Sequence, residues 1–111
     1  KSFSPSVNVK ESDHEFKLEL AAPGLSKDDF KINIENDMLN ISAEKKEEQA
    51  TQNEKYTRKE FSYASFKRTF TLPETADSEK ISAAYDNGVM TLVIPKKDEA
   101  RPKPLREIKI S

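Results

Sequence analysis

The 111-residue sequence predicts an all-β fold, an antiparallel β-sandwich, on three observations. Apolar and polar residues alternate at period two along most of the chain, turn residues recur at short intervals, and no segment carries a long helical period. Strands of this kind each have one apolar face to bury, and stacking two sheets face to face buries them all.

The elements follow in order. Val7 and Val9 alternate with Asn8 and Lys10, and Phe16, Leu18 and Leu20 alternate with Lys17 and Glu19. Pro23-Gly24 stops the second of these strands. Ser26-Lys27-Asp28-Asp29 suits one helical turn capped by Ser26. Phe30, Ile32 and Ile34 then mark a strand at 30–35, and Leu39, Ile41 and Ala43 mark one at 38–44. Asn36-Asp37 between them fits a tight hairpin. Later strands are read at Phe66–Leu72, Ile81–Tyr85 and Val89–Ile94. Asp86-Asn87-Gly88 supplies the turn before Val89, because Asn and Gly tolerate positive φ. The run from Val89 to Ile94 is apolar on nearly both faces, which predicts a central strand, and Pro95 ends it for want of an N–H.

Three features do not fit a simple meander. The segment "EKKEEQATQNEK" has Ala50 as its only apolar residue. A loop at 45–55 is too long for a hairpin turn of 2–5 residues and is expected to be disordered or functional, or to carry the chain somewhere distant. Tyr56, Thr57, Arg58, Lys59 and Glu60 then form a weak strand suited to a sheet edge. Arg68 sits at inward parity between Phe66 and Phe70, where a buried guanidinium needs a carboxylate; Glu60 is the candidate. Finally, the charged, proline-bearing tail ends in "LREIKIS". Ile108 and Ile110 are spaced to point the same way from an extended strand, and they need a surface to bury them.

The composition excludes several functions. Charged residues make up 35% of the chain but the net charge is only −1, so neither a nucleic-acid groove nor an anionic membrane face is built. No apolar run reaches the ~20 residues of a membrane span. The absence of cysteine excludes disulfides and Cys-based zinc sites and fits a cytoplasmic location. The single histidine, His14, lies beside Asp13 in "ESDHEF" and reads as a solvated turn residue, since nothing resembles a nucleophile elbow. Asp28-Asp29 and Glu47-Glu48 lack the spacing of a Ca²⁺ loop. The two glycines, Gly24 and Gly88, lie in turns, so no phosphate loop is present. No catalytic residue, metal ligand or cofactor is expected, and the chain reads as a binding protein, not an enzyme.

In combination the motifs resemble those of small heat-shock proteins of the bacterial and plant type, in their α-crystallin domain. The pieces are "APGLSKDDF", "RKEFSYASFKRTFTLPE", "AAYDNGVMTLVIPK", which is similar to an A-x-x-x-G-V-L motif, and the terminal "EIKI", which is similar to Ile-x-Ile. They span essentially the whole chain in the family's order. Met90 stands where the family usually has Leu, and Ala64 where many bacterial members have Gly. The resemblance implies an immunoglobulin-like sandwich and an ATP-independent holdase chaperone for unfolding client proteins. It divides the chain into a remnant of an N-terminal arm (1–5), an α-crystallin domain (6–96) and a C-terminal extension (97–111). It implies a homodimer formed by exchange of the strand 56–60, with Glu60 of one subunit meeting Arg68 of the other. It also implies higher oligomers, in which Ile108 and Ile110 anchor in a neighbour's groove between the strands at 30–35 and 81–86. The walls of that groove would be Phe30, Ile32, Ile34, Ile81, Ala83 and Tyr85. The linker Lys97–Glu107 would reach roughly 34 Å if extended. A non-catalytic adaptor sandwich binding one defined partner is the alternative; it would need neither the tail motif nor self-exchange.

Overall fold

The computed structural model describes the backbone of residues 5–48 and 60–111, and the side chains of 5–45 and 65–111. Among the described residues, seven strands form two antiparallel sheets: β1 (Ser6–Glu11), β2 (Glu15–Ala21), β3 (Phe30–Glu35), β4 (Met38–Glu48), β5 (Glu60–Thr71), β6 (Ser82–Asp86) and β7 (Val89–Pro95). One sheet has the order β1-β2-β7-β6 and the other β3-β4-β5. The expected sandwich is therefore present, and β7 is an interior strand as its apolar run predicts.

The turns explain the register. Asn36 and Asp37 adopt φ of 53° and 59°, and Asn87 and Gly88 adopt 50° and 80°. Positive φ at both central residues is the turn whose twist matches flanking strands. The polar quartet after Gly24 forms a 3-10 turn, Lys27–Asp29. Its entry is closed by the Asp29 carboxylate, which accepts the Ser26 N–H at 2.8 Å. The core lies between the sheets, with Leu20, Leu39, Ile41 and Leu92 fully buried. Each contributes about 1.5–3 kcal/mol by leaving water.

Two boundaries differ from the sequence reading. First, the polar segment does not turn into a loop at Lys45. β4 continues to Glu48 and pairs with the start of β5, across a register shift at Lys45/Lys46. Lys45–Glu48 are all polar and carry no apolar alternation to reveal the strand. Second, β7 does not release the chain at Pro95. The Lys96 N–H donates to the His14 carbonyl at 2.8 Å and the Lys97 N–H to Thr75 at 2.7 Å. A 3-10 turn, Asp98–Ala100, follows, and Arg101 Nε donates back to the Lys96 carbonyl at 3.0 Å. The tail leaves the domain at Pro102. No helix among the described residues is long and apolar enough to cross a membrane.

Candidate interaction groove

β3 and β6 are edge strands of opposite sheets, and their apolar residues face each other across an open rim of the sandwich. Phe30 and Tyr85 meet at one end, their ring centroids 4.9 Å apart at 49°. Phe30 also packs edge-on against Phe66 at 6.1 Å. Tyr85 is fixed from behind, donating its O–H to the Ala22 carbonyl at 2.6 Å. Beyond this aromatic pair lies a cavity of about 360 Å³ lined by Lys27, Phe30, Ile32, Ala83, Ala84, Tyr85 and Met90. The small side chain of Ala83 leaves room between neighbours, so the rim has a socket there. Ile34 continues the inward parity of β3 and is 39% exposed, and Ile81, half-buried against the core, stands one residue before β6.

Of the six groove residues named from the sequence, Phe30, Ile32, Ala83 and Tyr85 line this cavity, and Ile34 and Ile81 do not. The sequence reading missed Lys27, Ala84 and Met90 as lining residues, because parity alone does not show what reaches the rim from a neighbouring turn or strand. It also missed a second apolar depression of about 350 Å³ at the opposite rim, bordered by the exposed Val9, the half-buried Phe16 and Phe70, and the buried Ile94. There Val9 has inward parity on the edge strand β1.

Arg68 has the inward parity expected of it. It lies opposite Ile41, is half-buried, and its guanidinium sits 5.6 Å from the Phe70 ring centroid. Among the described residues it has no carboxylate partner. Glu60 is the first residue of the same strand, eight positions away, so at about 3.3 Å per residue the two are roughly 26 Å apart within one chain. Tyr56, Thr57, Arg58 and Lys59 lie outside the described residues. In the tail, Ile108 is 81% exposed and Ile110 94%, and Leu105 is 99% exposed. Among the described residues, no cluster of His, Asp or Glu is arranged to hold a metal ion.

This architecture has close counterparts. Small heat shock protein C2 of Rickettsia felis is 34% identical over 101 residues, covering 91% of this chain and 66% of its own length. An 18.1 kDa class I heat shock protein of Arabidopsis thaliana is 40% identical over 99 residues, covering 88% of this chain and 60% of its own. This chain thus spans somewhat less than two thirds of the curated relatives it matches. The crystal structure of a small heat-shock protein from Xylella fastidiosa superposes with a TM-score of 0.69 at 33% identity, over 98% of this chain and 97% of that one. The sandwich and the match of residues 8–111 to the family's profile agree: the chain belongs to the Hsp20/alpha crystallin family.

Proposed function

We propose that the protein is an ATP-independent holdase that captures unfolding proteins on apolar surface at the sandwich rims and stores that surface under its own tails. The observation that carries this reading is the pairing of an open apolar groove between β3 and β6 with a tail that holds Ile108 and Ile110 out in water. Each isoleucine gains at most about 1.5–3 kcal/mol on burial, and ordering the tail offsets much of it. A single tail therefore binds weakly and exchanges readily, while many tails acting together hold an assembly. Warming shifts that balance and uncovers the grooves, so capture needs no nucleotide. Exposed apolar surface on a partly unfolded client is what such a groove takes, and its sequestration prevents aggregation.

The building block is a homodimer in which the arm after β4 reaches a neighbouring subunit. Exchange of an identical element is a low-cost route to a dimer. A half-buried Arg68 with no carboxylate partner among the described residues supports the arrangement in which a partner subunit's arm supplies Glu60.

The test is light scattering from two unrelated heat-labile proteins, with and without this chain joined to its natural flanking segments. Suppression of aggregation for both, without ATP, is the expected result. Protection of neither, with tight binding to one folded protein, would make it an adaptor instead.

A further inference from the structure

We infer that Lys27 sets the direction in which a second copy's tail lies in the groove, by pairing with Glu107 of that tail. This rests on the tail-docking reading above and adds to it an orientation and a residue that enforces it.

Lys27 is the one charged residue among the seven that line the groove cavity. Its acidic neighbours are turned elsewhere. The Asp29 carboxylate accepts the Ser26 N–H, and Asp28 borders a separate depression with Lys31, Ser42 and Lys67. Lys27 is exposed and makes no ion pair among the described residues. The tail from Pro102 to Ser111 carries three basic residues and one acid, Glu107.

The groove has two unlike ends. Lys27 precedes Phe30 at the aromatic end. At the other end, Glu35 follows Ile34 and Glu79 stands two residues before Ile81, while the nearby Lys80 is engaged by Asp77 at 3.8 Å. Two isoleucines spaced by two residues match one step between facing pairs, so Ile108 and Ile110 can occupy the Ile32–Ala83 and Ile34–Ile81 steps in either direction. Apolar burial is then the same both ways, and charge decides. With the tail running from the aromatic end, Ile108 enters at Ala83. Glu107 then lies about 3.3 Å behind it, on the outward side and toward Lys27. Reversed, Glu107 passes Ile34 and comes beside Glu35, leaving Lys27 without its partner. Attraction at one end and repulsion at the other favour the first direction by roughly three- to ten-fold at low salt, less as salt rises.

The probe is a synthetic peptide of residues 105–111, amidated at Ser111 so that Glu107 is its only acid, with a nitroxide at its amino end. The protein is the full chain carrying Ile108→Ala and Ile110→Ala, which frees the groove. Paramagnetic broadening is expected around Lys27, Phe30 and Tyr85. Broadening centred on Ile34 and Ile81, or equal at both ends, overturns the assigned direction. Lys27→Glu should weaken the peptide several-fold at low salt, and a Glu107→Lys peptide should recover the loss. An unchanged affinity for Lys27→Glu overturns the role of Lys27. A peptide that binds nowhere on the groove overturns the docking reading itself, and this inference with it.

Discussion

Tyr85 donates its phenolic O–H to the Ala22 carbonyl at 2.6 Å, tying β6 to the end of β2 across the sheet. Ala22 in turn donates its N–H to the Gly88 carbonyl at 2.8 Å. The aromatic end of the groove is thus held from two sides. Tyr85→Phe removes the hydroxyl and leaves the ring. The expected cost is about 1 kcal/mol of unfolding free energy, read by urea denaturation, with a folded sandwich retained.

Gly88 is required twice over. Its φ of +80° is strained for any L side chain, and a Cβ there would lie 3.3 Å from Pro23 Cα. Gly88→Ala is expected to cost about 1–2 kcal/mol from the backbone conformation alone, with a further loss from the crowding. A matched Gly24→Ala, where a Cβ would meet no atom within 4 Å, should lose the conformational part only. Thermal unfolding of the two variants side by side separates the terms.

Arg68 and Glu60 should be coupled between subunits. Removing one member of a buried pair strands the other, so Glu60→Ala is expected to weaken the dimer by about 3 kcal/mol. A double-mutant cycle with Arg68→Ala, measured by sedimentation, should give a coupling energy well above the few tenths of a surface pair. Additive effects would show that the two never meet. In the same assay, replacing residues 49–59 by a two-residue Asn-Gly turn should give a folded monomer.

Changing Ile108 and Ile110 together to Ala should reduce larger assemblies to dimers and leave the melting of the domain nearly unchanged, because neither side chain touches its own core. Ala83→Leu, which fills the socket from the other side, should do the same. Native mass measurement on the chain with its natural flanking segments reads both. A fall in melting temperature with no change in mass would mean that the tail belongs to its own domain.

The parts of this molecule that bury a face were legible in the sequence. Leu18 and Leu20, Leu39 and Ile41, and Met90, Leu92 and Ile94 alternate with polar residues because each strand has one wet side. The Asn36-Asp37 and Asn87-Gly88 pairs announced the hairpins through the φ values that they accept. Phe30, Ile32, Ala83 and Tyr85, which line the cavity between β3 and β6, were legible for the same reason, as inward parity on edge strands. What was not legible carries no apolar alternation: the polar residues Lys45–Glu48, which pair with the start of β5. The tie of residues 97–101 rests on carbonyls of His14, Thr75 and Lys96, which carry no side-chain signature. Lys27 escaped because its reach depends on the 3-10 turn that presents it.

That tie has a consequence for how many subunits can join. The Lys96 ammonium lies 2.7 Å from the Glu11 carboxylate and 5.1 Å from the Phe16 ring centroid, with its side chain only 11% exposed. Together with the Arg101 bond to Lys96, this anchors the root of the tail to the sheet. Only Pro102–Glu107 remain as tether, six residues with two prolines, which reach about 19 Å when extended. A contact from one subunit's tail to another's groove is head-to-tail, and such contacts close into rings or grow into open filaments according to the rotation between neighbours. A long loose tether would permit both. A short stiff one on a fixed root restricts the rotation, so in the tail-docked assembly proposed above, residues 96–107 would set the point of closure.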